Sequence, residues 1–313
     1  MNVTTETMPP ATRRVRAYFA PVNRGAKQPT IFDPAHEGMF TLDAPPAPWI
    51  DLGWISGFAR KSGTKIEPVR TGAPAIPQMQ SRTAVDATVA LQFASWGKLQ
   101  MALAAGTQQM NLLKVQTGAA AAGSGGVAVP AVALQTGSTA SVLQLGASAS
   151  NFAGGETVVV DIDYTGELGF VGSAVSGAYV KSALTDVDYI RRVSLNVARI
   201  SAIANGGLTL ERPLLAGVPT STMKVSGVAG FCDREGSTFF QEWSALFVAQ
   251  GQQGERVLWH YPRLQAMASA AEASAVGSGG LEVLRQSATF RALPVKDPVD
   301  GENVVCFRSF VAC

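Results

Sequence analysis

The chain has 313 residues and nearly balanced charge, with 25 Lys and Arg against 23 Asp and Glu and a net charge of +2. Charged residues make up 15% of it and apolar residues 47%, whereas about 25% charge is usual in a soluble domain. This balance excludes a dedicated nucleic-acid-binding protein, which carries a basic patch or stripe, and favours either a membrane protein or a protein whose surface is largely covered by partners.

No segment has the composition of a membrane span. The longest uncharged stretch runs from Val115 to Gly155, but a proline, a Gly-Gly pair and many polar side chains interrupt it, and a spanning helix needs about 20 consecutive apolar residues. The first ten residues are polar and acidic and lack the basic start and apolar run of a signal peptide. We therefore expect a protein that is made in the cytoplasm and has no membrane partner.

The first 48 residues predict an extended N-terminal arm. Prolines recur along this segment, a basic cluster lies at Arg13, Arg14 and Arg16, and no hydrophobic period is sustained. Such a segment is mobile in isolation. In an assembly, it can lie across a neighbouring subunit.

Regular structure is predicted from Trp49 onward. The run Trp49–Ile55 is rich in residues that fit a pleated sheet, and Ser62-Gly63 predicts a turn after it. From Arg82 to Phe93 polar and apolar residues alternate, which predicts a half-buried strand whose inner face carries Val85, Ala87, Val89, Leu91 and Phe93.

A short helix is predicted directly after this strand. Ser95 can cap its start and Gly106 can end it, with Leu99, Ala102 and Leu103 on the buried side. It is the single helix that the sequence predicts.

Residues 115–221 predict an inserted second domain. The segment opens with the flexible run Gly118–Gly126 and continues with short β-like pieces separated by turn residues. Their even spacing predicts a small β-barrel. The chain then returns to four long predicted strands at 238–249, 255–267, 281–293 and 303–311, which are longer than usual and would aggregate if their edges were exposed.

The sequence carries few groups suited to catalysis or metal binding. His36 lies in the proline-rich arm, and His260 has strand-like spacing, so we expect His260 to be structural. Asp161, Asp163 and Gly166 match the opening of a calcium loop, but position twelve is Gly172 rather than Glu. Cys232, Cys306 and Cys313 lack disulfide or metal spacing. We predict no catalytic residue, no metal and no cofactor.

The order of these elements resembles that of the major tail tube proteins of long-tailed, siphovirus-like bacteriophages. The resemblance rests on Trp49–Ile55, on the strand at 82–93 running into the helix at 95–106, and on the closing strands Glu255–Pro262 and Gly280–Leu284. It covers 46–114 and 222–313, about half of the chain, and is one of pattern rather than of strict motifs.

The resemblance implies a tail-tube-type β-sandwich with one flanking α-helix, formed by 49–114 and 222–313. The small β-barrel of 115–221 would be inserted on the outside of the tube. Six copies would form a ring, and stacked rings would form the tube of the virion through which DNA leaves the capsid. The implied partners are other copies of the chain, the tape measure, terminator and distal tail proteins, and DNA in transit without specific binding.

A conduit of this kind must not bind the DNA that it passes. We therefore expect carboxylates to predominate on the channel face, with Glu242, Glu255 and Glu282 as candidates, because negative charge repels phosphate. Arginines of the same strands would pair between subunits, and the candidates are Arg256, Arg263, Arg285 and Arg291.

Two other classes stay open at this point. The first is a different ring-forming virion protein, namely a tail terminator, a baseplate protein or a capsid decoration. The second is a β-sandwich module that binds carbohydrate on a tryptophan platform, for which Trp49 and Trp54 are the closest pair in sequence.

Overall fold

The structure is a computed structural model that describes residues 14–22, 28–116, 128–161, 196–215, 217–235, 241–267, 271–276 and 282–312. The chain is mainly β, which confirms the predicted fold class, and an α-helix flanks the sheets as expected. The small-barrel part of that prediction is not confirmed.

The elements follow the chain in three groups. The N-terminal group consists of β1 (Val15–Pro21), α1 (Pro34–Glu37), β2 (Ile50–Thr71), β3 (Ile76–Phe93), α2 (Lys98–Ala105) and β4 (Gln108–Leu113). The middle group consists of β5 (Val132–Ala133), β6 (Val142–Gln144), a 3₁₀ helix (Gly146–Asn151), β7 (Thr157–Asp161), β8 (Val197–Ala204), β9 (Gly207–Leu210) and β10 (Lys224–Arg234). The C-terminal group consists of β11 (Glu242–Gln250), β12 (Arg256–Ala266), β13 (Ala271–Val276), β14 (Glu282–Ala292), β15 (Val295–Lys296), β16 (Asn303–Val304) and β17 (Phe307–Val311).

The main sheet has eight strands in the order β13-β14-β3-β2-β1-β11-β12-β17. Because β14 also pairs with β12, the six strands β1, β2, β3, β14, β12 and β11 form a closed circuit. Large aromatic side chains fill its core, including Phe19, Trp243, Phe247 and Phe290, each no more than 1% exposed. Phe19 contacts the other three rings at centroid distances of 5.5–6.3 Å. Such aromatic contacts add to the area that the side chains bury.

The predicted N-terminal arm is wrong for residues 15–21. These residues form β1, which lies between β2 and β11 in the middle of the main sheet, with Ala17 to Ala20 completely buried. Both faces of β1 carry apolar side chains. Ala17 and Phe19 lie on one face, and Tyr18 and Ala20 lie on the other. The basic cluster and the flanking prolines hid this short apolar run in the sequence.

The predicted strand at 82–93 is part of the longer β3. The predicted alternation is confirmed in its C-terminal half, where Ala87, Val89, Leu91 and Phe93 are buried in the core. Val85 is 51% exposed, since β3 continues beyond the core at that point. The turn predicted at Ser62-Gly63 is absent: β2 runs on to Thr71, and the turn lies at residues 72–75.

The predicted helix is confirmed as α2, which begins later than expected. Gly97, not Ser95, precedes its first residue, and no side chain caps it. Gly106 ends it in the left-handed conformation, where its N–H donates to the carbonyl of Ala102. The buried residues Ala102 and Leu103 pack against the core of the main sheet.

A second sheet has the order β4-β10-β7-β8-β9-β6, with β5 also paired to β10. Its outer members β4 and β10 lie before and after the predicted insertion, so the second structural unit runs from about 108 to 234 rather than from 115 to 221. Leu143, Val158, Ile200 and Leu208 form its core and are fully buried. Residues 162–195 of the predicted insertion lie outside the described residues.

The long C-terminal strands are interior members of the main sheet. β11 pairs with β1 and β12, and β12 pairs with β11, β14 and β17. The predicted strand at 303–311 forms two short strands instead, β16 and β17. The open edges of the main sheet are β13 and β17, each with one partner among the described strands.

Candidate assembly surface

The outer parts of β2 and β3 form a two-stranded hairpin that leaves the main sheet. β1 pairs with β2 up to Ile55, and β14 pairs with β3 from Thr88 onward. Between these limits the two strands pair with each other, from Ser62 opposite Ala87 to Thr71 opposite Ile76. We call residues 62–87 the projecting hairpin. Its ten-residue strand at 62–71 spans roughly 30 Å at the usual rise of an extended chain.

The projecting hairpin exposes large apolar side chains. They are Ile66, Val69, Ile76, Met79 and Val85, between 43% and 62% exposed. None of residues 63–86 belongs to a hydrophobic cluster of the described chain. An isolated two-stranded hairpin is at best marginally stable in water, and open strand edges are templates for pairing with another chain. The projecting hairpin therefore has the properties of a docking element.

Two of the predicted charged residues form an ion pair within the chain. The Arg263 guanidinium donates two hydrogen bonds to the Glu242 carboxylate, at 2.9 Å and 3.1 Å. The Glu242 side chain is 9% exposed and that of Arg263 is 14% exposed. Glu242 is therefore dropped as a channel-face candidate and Arg263 as an inter-subunit candidate, because each already neutralises the other inside one subunit.

Arg256 is also held by partners within the chain. It is 6% exposed, and its Nη1 donates to the carbonyls of Gly38 and Phe40 at 3.1 Å and 2.7 Å. Its guanidinium also lies 5.3 Å from the centre of the Phe40 ring. Arg256 ties the segment after α1 to β12, which corrects its predicted role between subunits.

The remaining predicted residues are Glu255, Glu282, Arg285 and Arg291. Glu255 is half-buried beside the β11–β12 turn, where its carboxylate accepts from the N–H of Gln253 at 3.0 Å. Glu282 begins β14 opposite Val276. Arg285 donates to Gln92 at 3.4 Å, and Arg291 lies 3.3 Å from Asp86 at the base of the projecting hairpin. Both arginines are exposed.

Trp49 and Trp54 do not form a sugar-binding platform. Trp49 is 6% exposed and packs against Phe32 and His260. Trp54 is half-buried, and the Arg16 guanidinium lies 5.4 Å from the centre of its ring. A carbohydrate platform needs an open aromatic face, so the burial of this pair disfavours the carbohydrate-binding alternative.

His260 occupies the structural position that its spacing predicted. It is 3% exposed, its Nε2 accepts from the N–H of Phe32 at 3.4 Å, and its Nδ1 lies 3.3 Å from the carbonyl oxygen of Ala245. The ring stacks on Phe307 with the two planes 16° apart. Burial lowers the pKa of His260 to about 4, so the imidazole is neutral at pH 7 and Nδ1 is the donor to Ala245.

We expect His260 to make the protein less stable in mild acid. Between pH 6.5 and pH 5 the unfolded chain protonates this histidine and the folded chain does not, so the free energy of unfolding falls as pH falls, by about 2 kcal/mol for this group. Urea unfolding at pH 7, 6 and 5 measures the effect. His260→Phe should flatten the profile by this amount, whereas the exposed His36→Gln should leave it unchanged. An equal slope in all three proteins would contradict the assignment.

The described residues contain no further site that the sequence predicted. No three His, Cys, Asp or Glu side chains of these residues come together as metal ligands. Cys232 and Cys306 are half-buried and form no disulfide among the described residues, and Cys313 lies outside the described residues. Asp161 is 1% exposed at the end of β7, while the rest of the calcium-like motif lies outside the described residues. None of the helices in the described part of the chain reaches the length and apolar content of a membrane span.

Comparison with known proteins adds no family to this picture. No protein-family model matches the chain, and no curated protein matches it either.

Proposed function

We propose that this chain is a structural virion protein that assembles into stacked hexameric rings of a phage tail tube. The projecting hairpin is the observation that carries the proposal. It extends beyond the main sheet with five large, half-exposed apolar side chains and no hydrophobic cluster of its own. The resemblance in the order of the elements supplies the kind of assembly.

A second copy of the chain is the partner that best fits the hairpin. Val69 lies opposite Met79, Arg70 opposite Pro77 and Thr71 opposite Ile76, so apolar side chains come close to the tip on both strands. In a ring of identical subunits, each copy offers the same surface to the projecting hairpin of its neighbour. The ring can therefore close with every projecting hairpin covered. In the proposed assembly, this contact joins each subunit to the next subunit of the ring.

The open edges of the main sheet support the same proposal. β13 and β17 each have one partner among the described strands, and residues 271–274 of β13 are exposed. An edge that pairs with the next subunit removes the unpaired backbone groups that favour aggregation. In a closed ring, every edge of this kind pairs with a neighbouring subunit.

The proposed conduit acts physically and not by catalysis. Glu255 and Glu282 remain the candidates for the channel face, where negative charge prevents the phosphates of the passing DNA from binding. Arg285 and Arg291 remain the candidates for pairing between subunits. The proposed partners are other copies of the chain and the tape measure, terminator and distal tail proteins, and the proposed location is the virion tail.

Negative-stain electron microscopy of the purified protein at rising concentration tests the proposal. We expect rings at moderate concentration and stacked rings or tubes with a central hole at high concentration. Closed single rings that never stack would favour the alternative, namely a terminator, baseplate or decoration protein. A monodisperse monomer at every concentration, measured in parallel by sedimentation velocity, would contradict self-assembly.

A further inference from the structure

A cleft of about 660 Å³ lies between the main sheet and the second sheet. The start of β2, the first turn of α2, and parts of β4 and β10 line it. Small-molecule sites commonly have volumes of about 300–1,000 Å³ and lie where two structural units meet. The projecting hairpin contributes no residue to the cleft, so this feature is independent of the proposed assembly.

Lys98 is the chemically distinctive residue of the cleft. It is the first residue of α2, and its Nζ donates a hydrogen bond to Oδ1 of Asn111 at 2.7 Å. Asn111 is itself 2% exposed on β4. The hydrogen bond joins α2 to the second sheet and fixes the position of the amine. The amine of a lysine on an open surface has no fixed position, because its side chain is long and flexible.

The surroundings of Lys98 favour its neutral form. Burial lowers the pKa of Lys98 to about 7, and the electrostatic influence of Asp161 and Cys232, which raises the pKa, opposes this shift only in part. The neutral form of Lys98 is therefore much more accessible at neutral pH than that of an ordinary exposed lysine, whose pKa is near 10.4. A positioned, neutral amine in a cleft is a nucleophile.

Arg212 supplies a second functional group to the same cleft. Its side chain is exposed and lines the cavity together with Ser95 and Gln100. A guanidinium holds carboxylates and phosphates by charge-assisted hydrogen bonds. Asp51 also lines the cleft, but its carboxylate accepts hydrogen bonds from the Arg16 guanidinium and from the N–H of Gly53. Because Asp51 is paired with Arg16, the guanidinium of Arg212 can bind the anionic group of a ligand.

We propose that this cleft binds a small molecule that carries an aldehyde or ketone and an anionic group, with Lys98 forming a Schiff base to the carbonyl carbon and Arg212 holding the anion. The Lys98 nitrogen attacks the carbonyl carbon and a carbon–nitrogen bond forms. The carbonyl oxygen then leaves as water with the two protons of the amine. The products are the imine and one water molecule, and nothing is oxidised or reduced.

Pyridoxal 5′-phosphate is a suitable probe because it carries an aldehyde and a phosphate. The full chain is incubated with a limiting amount of the probe, the imine is reduced with borohydride, and the labelled lysines are identified by peptide mass spectrometry. We expect Lys98 to be labelled at least tenfold faster than the exposed Lys61, Lys65 and Lys296, with a labelling rate that rises around pH 7.

Two variants and one competition experiment separate the parts of the proposal. Lys98→Arg should remove the label and keep the charge, and Arg212→Gln should raise the probe concentration for half-labelling about tenfold. Glyoxylate, a smaller aldehyde with a carboxylate, should protect Lys98 in the wild-type chain. Labelling of Lys98 no faster than that of exposed lysines would overturn the site, and labelling unaffected by Arg212→Gln would overturn the anion-binding part. Neither result bears on ring assembly.

Discussion

A variant in which residues 63–86 are replaced by Asn-Gly will fold like the wild-type chain and will not assemble. Ser62 and Ala87 lie directly opposite each other, so a two-residue turn of this type can join them without changing the strand register. The deleted residues belong to none of the hydrophobic clusters. Their loss therefore removes the proposed docking element and leaves the cores intact.

Circular dichroism and urea unfolding will show whether the shortened chain keeps its fold, and sedimentation velocity with electron microscopy will show its assembly state. A milder change removes apolar surface alone: Ile76→Ser with Met79→Ser should raise the concentration needed for assembly by at least about tenfold, since burial of such side chains contributes roughly 1 kcal/mol or more each. Val299, which is 92% exposed outside the hairpin, provides the matched control Val299→Ser. Rings formed as readily by both hairpin variants as by the control would contradict the proposed interface.

The sequence predicted best those elements whose side chains alternate against a core. Ala87, Val89, Leu91 and Phe93 all face the interior, because a half-buried strand must place every second side chain in the core. Gly106 ended α2 as predicted, since its left-handed backbone conformation suits glycine. In both cases, the deciding interaction is local or requires only one buried face.

The projecting hairpin could not be recognised from local pattern alone. Neither of its faces packs on a core, so the polar and apolar alternation that extends into this segment does not mark a buried face. Ser62-Gly63 has the composition of a turn, yet Gly63 pairs with Asp86 inside the ribbon. The true turn at 72–75 contains Gly72 and Pro74, which carry an equally good turn signal. Choosing between the two turns requires knowledge of the strand pairing.

The partners of the buried charged residues also could not be predicted without knowing the strand pairing. Arg256 and Arg263 look like surface arginines in the sequence, but their acceptors lie on other segments of the chain. Glu242 and Arg263 are 21 residues apart and meet because β11 and β12 pair with Glu242 opposite Gln265, two residues from Arg263. Sequence spacing does not reveal this strand register, so the ion pair is evident only in the structure.

We expect Glu242→Ala to lower the free energy of unfolding by about 3 kcal/mol. The substitution leaves the mostly buried guanidinium of Arg263 without its carboxylate, and removing one partner of a buried ion pair typically costs about 3–5 kcal/mol. Arg263 keeps one hydrogen bond to the carbonyl of Pro294 at 3.2 Å, which places the expected loss at the lower end of that range. Urea unfolding at pH 7 measures it.

The pair Arg199–Glu211 is the matched control for this prediction. It has the same ion types and a 3.0 Å separation, but its side chains are 59% and 44% exposed, so Glu211→Ala should cost less than about 1 kcal/mol. The double variant Glu242→Leu with Arg263→Met should recover most of the lost stability, because it removes both buried charges. If Glu242→Ala lowers the free energy of unfolding by no more than Glu211→Ala does, the prediction is contradicted. The Glu242 carboxylate is then solvated and is again a candidate for the channel face.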